Sequence, residues 1–179
     1  LMNYFGHDKV SILDGSLAKW KNDKRETTAQ IKNVTATKYK ATPDAAMFVN
    51  ADQVQKAISN PKAVIVDVRS VEEYKGLKSM GPAPKIMGHI KGAVNLDYEK
   101  TNLNADGTFK SVNDLKSAYE AQGVKKDKEI IVYCDGGVRA ANTVFVLKSL
   151  LVYPNVKNYV GSCGEWGNRL DPAKYPTEK

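Results

Sequence analysis

Residues 129–140 read Glu-Ile-Ile-Val-Tyr-Cys-Asp-Gly-Gly-Val-Arg-Ala, and this stretch decides the fold. Its apolar first half is typical of a buried strand, which ends at Cys134. The glycine pair indicates a tight turn, and apolar residues then recur at helical spacing from Arg139 to Leu151. We therefore predict a strand, a short loop and a helix, with Cys134 at the carboxyl end of the strand. Open α/β sheets form their sites at this edge.

The rest of the module alternates apolar strand-like runs with helical patterns. The sequence predicts strands at residues 63–67, 93–96, 129–133 and 158–160, and helices at 51–58, 71–75, 111–121 and 139–151. Asn50 and Ser111 are the predicted N-caps of two of these helices. Alternation of this kind predicts an α/β fold in which helices flank a central parallel sheet on both faces.

Cys134 is the candidate nucleophile. Unpaired amides and the dipole at a helix start stabilise an anion, so they favour a thiolate there. The predicted anion-binding loop comprises Asp135, Gly136, Gly137, Val138, Arg139 and Ala140. We expect both glycines to adopt positive φ, so that successive amides point toward the sulfur. The alternative is a buried structural cysteine that precedes a turn.

The length of this loop restricts what it can hold. Four residues separate Cys134 from Arg139. Protein tyrosine phosphatases hold phosphate in a loop of the same kind, in which five residues separate the cysteine from the arginine. The shorter loop forms a tighter ring of amides, which favours a smaller group such as a terminal sulfur.

Several motifs in order carry a family resemblance. The chain resembles the rhodanese (thiosulfate sulfurtransferase) family over about residues 44–172. The residues that carry it are Ala-Val-Ile-Val-Asp-Val-Arg at 63–69, Glu-Glu-Tyr-Lys-Gly at 72–76, Gly-His-Ile-Lys-Gly-Ala-Val-Asn at 88–95, the Cys134 loop, and Gly-Ser-Cys-Gly-Glu-Trp at 161–166. The resemblance implies the rhodanese-like fold and a sulfurtransferase that needs no cofactor. Sulfane sulfur would pass from a donor such as thiosulfate to a thiophilic acceptor, cyanide or a thiol, through a Cys134 persulfide.

The resemblance also suggests roles for three charged residues. Arg139 would bind an anionic leaving group such as sulfite, or would instead pair with a surface carboxylate at the helix start. Asp67 and Arg69 would form an ion pair that braces the loop without touching substrate.

Two departures from the family pattern leave the donor open. Asp135 stands where thiosulfate-preferring relatives often carry a basic residue and mercaptopyruvate-preferring relatives a glycine. An acidic residue there opposes a neighbouring thiolate and makes the thiosulfate dianion a less obvious donor. Glu73 stands where mercaptopyruvate-type relatives carry an arginine, which argues against that substrate.

Two other residues have competing interpretations. Cys163 is either a resolving cysteine for the persulfide or a small apolar residue of a buried loop. His89 is either a catalytic partner of the cysteine or, as the resemblance implies, a structural residue whose ring bonds to the backbone.

Two other functions remain open for the whole module. One is a regulatory rhodanese-like module that binds a partner without catalysis, and the other is a phosphatase or arsenate reductase of the related fold. The intact cysteine argues against the first, and the short loop against the second.

Composition excludes several further classes. The chain has 27 Lys and Arg residues against 20 Asp and Glu residues, which gives a net charge of +7. The basic residues are dispersed along the chain, so we predict no nucleic-acid site. No apolar run approaches 18 residues, so no membrane span is predicted. Cys134 and Cys163 lie 29 positions apart, which fits neither a zinc site nor a Cys-x-x-Cys pair, so no metal is predicted. The sequence leaves the compartment open.

The beginning of the chain repeats its end. Residues 10–22 share Val, Gly-Ser, Trp and Asn in register with residues 156–168, at an offset of 146 positions. We interpret residues 1–22 as the last strand, turn and helix start of an upstream rhodanese module, which would be a partner within the same protein. Residues 23–43 would be the linker and residues 44–179 the catalytic domain of a tandem sulfurtransferase.

Overall fold

The structure is a computed structural model that describes residues 1–169 and 171–179. The chain divides into two compact units. One comprises Leu1–Ala45 with Leu103–Phe109, and the other comprises Ala46–Asn102 with Lys110–Lys179. The predicted module falls mainly in the second unit, which contains both Cys134 and the parallel sheet.

The second unit contains six strands and six α-helices among its described residues. The strands are β1 Ala63–Asp67, β2 His89–Ile90, β3 Val94–Asn95, β4 Glu129–Tyr133, β5 Val156–Asn158 and β6 Thr177–Glu178. Helix α1, Ser16–Asn22, belongs to the first unit. The helices of the second unit are α2 Ala51–Ala57, α3 Val71–Tyr74, α4 Tyr98–Asn102, α5 Val112–Ala121, α6 Val138–Phe145 and α7 Ser162–Arg169.

A four-stranded parallel sheet forms the centre of this unit. Its order is β3-β1-β4-β5, and β1 and β4 pair in register along their whole length, with Val66 opposite Val132. Both central strands are rich in β-branched residues, which pack well where a strand is covered on its two faces. Helix α2 packs against β1, and α6 packs against β4 and β5. The predicted α/β fold, a parallel sheet flanked by helices, is confirmed.

Local capping fixes the beginnings of three helices. Asn50 and Ser70 each form a reciprocal capping box, with Gln53 and Glu73 respectively. The Ser111 side chain accepts a hydrogen bond from the Asp114 amide. The predicted caps at Asn50 and Ser111 are therefore confirmed.

Three predicted boundaries differ from the structure. The strand expected at 158–160 is Val156–Asn158, because its ladder follows β4 and ends where the chain turns into α7. The strand expected at 93–96 is only Val94–Asn95. The helix expected at 139–151 begins at Val138 and changes to π-helical geometry over Val146–Leu150, which apolar spacing alone does not reveal.

The first unit contains one α-helix among its described residues, α1 Ser16–Asn22. The helix start predicted within residues 1–22 is thus present. No part of residues 1–22 forms a strand, so the strand expected within this segment is absent from the structure. A strand needs a neighbour to satisfy its backbone groups, and no described strand pairs with this segment.

A buried polar cluster ties α6 to two other helices. The Asn102 amide on α4 donates to Asn142 Oδ1 at 2.9 Å and to Thr143 Oγ1 at 3.0 Å, both on α6. The side-chain oxygen of Asn102, Oδ1, accepts a hydrogen bond from the Tyr119 hydroxyl on α5 at 2.6 Å. Because Asn102 is fully buried, no solvent can replace these bonds. The cluster holds the helix that begins directly after the Cys134 loop.

Replacing Asn102 with Ala should cost about 2 to 4 kcal/mol of unfolding free energy, because the Tyr119 hydroxyl and the Thr143 hydroxyl lose a buried partner. Urea unfolding followed by tryptophan fluorescence measures this loss. Asn113→Ala, at an exposed position of α5, is the matched control and should change stability by less than about 0.5 kcal/mol. Equal losses in the two variants would contradict the role of the cluster.

Candidate active site

Cys134 is the first residue after β4 and is 1% exposed. Strand β4 lies between β1 and β5, so the sulfur lies at the carboxyl edge of the sheet, as the sequence predicted. Three hydrogen bonds to backbone groups hold Cys134 and Asp135 in place. The Cys134 amide donates to Ser162 Oγ at 3.1 Å, and the amides of Cys163 and Gly164 donate to the carbonyls of Cys134 and Asp135.

The loop from Cys134 to α6 turns at Gly137. Gly137 has φ 82°, and its amide donates to Cys134 Sγ at 3.1 Å. A Cβ at this position would lie 3.0 Å from the Cα of Val160, so both the conformation and the space require glycine. Gly136, which we also expected to have positive φ, does not, because one left-handed residue suffices to turn the chain into the helix.

The first amides of helix α6 precede its hydrogen-bond ladder. Its first intrahelical bond runs from the Ala141 amide to the Gly137 carbonyl. The amides of Val138, Arg139 and Ala140 precede that bond, and groups in this position have no intrahelical partner. Together with the Gly137 amide they form the kind of environment that stabilises a thiolate or a persulfide anion. Ala140 itself is buried, and its side chain packs into the core.

Arg139 pairs with Glu73. Its two terminal nitrogens donate to the two carboxylate oxygens of Glu73, each at 2.8 Å, in a bidentate ion pair. Glu73 is 3% exposed and lies on α3. Burial opposes its ionisation, but hydrogen bonds from Arg139 and from the Ser70 backbone outweigh that effect and hold the pKa of Glu73 below its ordinary value. The same pairing raises the pKa of Arg139, so both partners are charged at neutral pH. Of the two predicted roles for Arg139, the structure contains carboxylate pairing, with a buried rather than a surface partner.

Asp67 and Arg69 form the predicted ion pair. The shortest of their contacts joins Arg69 Nη2 to Asp67 Oδ2 at 2.6 Å, and both side chains are buried. Arg69 also donates to the Gly88 carbonyl, and its guanidinium lies 5.9 Å from the centre of the Tyr133 ring. Tyr133 immediately precedes Cys134, so the pair contacts the strand that carries the cysteine.

A cavity of about 250 Å³ opens over the cysteine. Met80, Gly81, Cys134, Asp135, Gly136, Val138 and Arg139 line it. Five of these residues belong to the predicted loop or are the predicted nucleophile, and the other two come from the loop between α3 and β2. The structure thus brings a buried thiol, the Gly137 amide that bonds to it and an accessible volume together.

Two further predicted residues lie outside the cavity lining. His89 donates through Nδ1 to the Tyr74 carbonyl at 2.9 Å, and its ring stacks on the Tyr74 ring, in agreement with the structural interpretation. Cys163 is buried in a core cluster with Tyr159 and Trp166, and burial raises the pKa of its thiol. This environment favours its interpretation as a small apolar residue.

The described residues offer neither a metal site nor a membrane helix. Within residues 1–169 and 171–179, no group of three or more His, Cys, Asp or Glu is placed to hold a metal. None of the helices in this part of the chain has the length and apolar character needed to cross a bilayer.

Sequence reasoning missed two residues of the site. Glu73 is the third helical residue after the Ser70 cap, where a capping box is enough to explain a glutamate. The sequence therefore gave no sign that Glu73 pairs with Arg139. Ser162, whose hydroxyl accepts from the Cys134 amide and donates to the Tyr159 carbonyl, was noted only as part of a motif. The Gly-Ser pair of the internal repeat was a second trace of Ser162 in the sequence, but it did not indicate contact with Cys134.

Replacing Asp67 with Asn should lower the unfolding free energy by about 3 to 5 kcal/mol, because it leaves the Arg69 charge buried and uncompensated. Lys116→Gln is the control, since it breaks an exposed pair with Glu120 whose atoms lie 3.9 Å apart. That variant should change stability by less than about 0.5 kcal/mol. Urea unfolding compares the two, and a loss for Asp67→Asn no larger than that of the control would contradict the buried pair.

Comparison with known proteins finds relatives that match nearly the whole chain. A protein of Saccharopolyspora erythraea that carries the provisional name thiosulfate sulfurtransferase is 43% identical over 98% of this chain and 64% of its own length. The sulfur carrier protein TtuD of Thermus thermophilus is 40% identical over 92% of this chain and 61% of its own length. The chain therefore spans somewhat less than two thirds of these relatives.

Solved structures show the same fold. A variant of EanB in complex with hercynine superposes with a TM-score of 0.87 at 25% identity, and it matches 99% of this chain and 43% of the EanB chain. A persulfide-bearing EanB variant with ergothioneine has a TM-score of 0.86. The sequence model of the rhodanese-like domain matches residues 50–169. Most of the chain is covered by this match, and the chain belongs to the rhodanese family.

Proposed function

We propose that this chain is a sulfurtransferase in which Cys134 carries the transferred sulfur. The observation that supports this most directly is the hydrogen bond from the Gly137 amide to Cys134 Sγ at 3.1 Å, at the floor of the cavity. The names of the relatives point the same way, since one is a sulfur carrier and the other is named for thiosulfate sulfurtransferase activity.

The reaction has two half-reactions on one residue. The Cys134 thiolate attacks the outer sulfur of a donor, the donor's sulfur bond breaks, and the sulfur remains on the cysteine as a persulfide. A thiophilic acceptor, cyanide or a thiol, then takes the outer sulfur and restores the thiolate. Such a scheme predicts ping-pong kinetics.

The chain's own groups stabilise each anion in turn. The Gly137 amide bonds to the sulfur, and the free amides at the start of α6 would help it to stabilise charge that moves by one atom onto the persulfide. Ser162 holds the backbone of Cys134 in place, and the Asp67–Arg69 pair braces β4 through Tyr133. The four-residue spacing between Cys134 and Arg139 favours sulfur over phosphate in this ring.

Incubation with a sulfane sulfur donor should add about 32 Da, one sulfur atom, to the intact chain. The gain should disappear on treatment with cyanide and should be absent from Cys134→Ser. Intact-protein mass spectrometry measures both. Cys163→Ser is the matched control, because its thiol is equally buried but lies outside the cavity, and it should gain the sulfur normally.

Two results would overturn the assignment. Sulfur that still adds to Cys134→Ser would move the nucleophile to Cys163. No gain from thiosulfate, polysulfide or an organic persulfide would leave a binding role for the module. Turnover of p-nitrophenyl phosphate by the wild-type chain would instead favour the phosphatase alternative.

We also propose that residues 1–22 are the end of an upstream rhodanese module, that residues 23–43 are a linker, and that the upstream module packs against this segment in a tandem protein. The internal repeat supports this. Ser16 and Ser162, which correspond in the repeat, each begin a helix with positive φ, 61° and 51°. Leu13 and Leu17 are exposed, as expected of a segment whose packing partner is another domain. The relatives are longer than the chain.

Determination of the coding sequence upstream of Leu1 tests this proposal. We expect a second rhodanese-like module whose last strand would continue into residues 10–13. Co-expression of that module with the chain should then protect Leu13 and Leu17 from solvent, as hydrogen exchange of their amides would show. An unrelated upstream sequence, or unchanged exchange in the presence of the module, would refute it.

A further inference from the structure

The positive charge in the cavity is already neutralised. Of the described residues that line the cavity, Arg139 is the one that carries a positive charge, and both of its terminal nitrogens are bonded to Glu73. Arg69, the other arginine near the cysteine, is likewise paired, with Asp67. A guanidinium in a bidentate pair has little charge left to offer a ligand.

A thiosulfate donor would concentrate negative charge at this site. The Cys134 thiolate and the thiosulfate dianion together carry three negative charges, and the Asp135 carboxylate lines the same cavity. Like charges a few ångströms apart repel strongly in a partly buried site, unless a cation compensates them. The backbone amides of the loop are well placed to stabilise the sulfur, but they do not replace a cation at the far end of a dianion.

The outer wall of the cavity is apolar. Val138 is 83% exposed and Met80 is 66% exposed, and both line the opening. Exposed apolar side chains at the mouth of a site favour contact with carbon rather than with a hydrated sulfonate group. Charge and surface chemistry therefore agree about what the cavity prefers.

We propose that Glu73 sets the donor specificity of the site: by neutralising Arg139 it favours an organic persulfide over thiosulfate. This proposal rests on the sulfurtransferase function proposed above and names its donor class. Glu73 is a positioning residue, since it acts through Arg139 and does not line the cavity.

The sulfur transfer balances with this donor. The Cys134 thiolate attacks the terminal sulfur of R–S–SH, a new sulfur–sulfur bond forms to Cys134, and the bond between the two donor sulfurs breaks. The products are the Cys134 persulfide, which keeps the donor's proton, and the thiolate R–S⁻. The reactants and the products of this step each carry one negative charge in total. With thiosulfate as the donor, the reactants and the products each carry three.

The test compares two donors on the wild type and three variants. Each protein is incubated with thiosulfate or with 2-hydroxyethyl persulfide, and samples are quenched with an alkylating agent at successive times. Intact-protein mass spectrometry then measures the fraction that carries sulfur, which gives a rate constant for each donor. Glu73→Gln keeps a side chain that can complete the capping box but frees the charge of Arg139. We expect it to raise the ratio of thiosulfate to persulfide rate constants about tenfold over the wild type.

Glu72→Gln is the matched control, since it removes the same charge from the adjacent exposed residue of α3. Its ratio should stay within about twofold of the wild type. The double variant Glu73→Gln with Arg139→Gln replaces the ion pair with two amides, so it avoids a lone charge if Glu73→Gln folds poorly. Its ratio should return toward the wild-type value, because the site again has no uncompensated cation.

Three results would overturn the proposal while the sulfurtransferase function stands. These are an unchanged ratio in Glu73→Gln, an equal rise in Glu72→Gln, or a double variant whose ratio falls far below the wild type, which would mean that Arg139 already serves thiosulfate. If neither donor loads sulfur onto wild-type Cys134, the sulfurtransferase function itself fails and this proposal fails with it.

Discussion

The chain must pass from strand β4 into helix α6 within four residues, and the turn between them must also position the Cys134 sulfur. Gly137 meets this constraint, because it alone of the loop residues adopts a left-handed conformation, and its amide then points at Cys134 Sγ. The turn is also the N-cap of α6, whose first amides have no intrahelical partners. The geometry that starts the helix and the geometry that stabilises an anion are therefore the same.

Burial of charge shapes the surroundings of this turn. Glu73 and Asp67 are both almost inaccessible, and each is neutralised by an arginine that donates two hydrogen bonds. A buried carboxylate without such a partner would be costly, so the pairs are a requirement of the fold. In the proposal made above, the Arg139 guanidinium lines the same cavity as Cys134 and still offers little attraction to an anion. An arginine in a loop motif is therefore not by itself an anion receptor.

Supports that are remote in sequence hold the cysteine. Ser162 accepts from the Cys134 amide, and the Asn158 side chain donates to the Gly137 carbonyl, so the turn is tied to the end of β5 and to the start of α7. On the other side, Asn102 connects α4 and α5 to α6. Several elements of the fold thus hold the Cys134 backbone, which suits the proposed function, in which one site holds a thiolate and a persulfide in nearly the same place.

The sequence alone was sufficient for the features that depend on neighbours along the chain. Strand β4, the position of Cys134, the caps Asn50 and Ser111 and the parallel α/β architecture follow from periodicity, capping and turn chemistry, all of which act over a few residues. Tertiary structure decided the pairing of Glu73 with Arg139, across 66 positions, and the anchoring of Cys134 by Ser162, across 28. It also decided that residues 10–13 do not form a strand, because a strand depends on an adjacent strand and not on its own sequence. Contacts of this kind arise only when folding removes side chains from water and each buried charge or backbone group must find a partner in space.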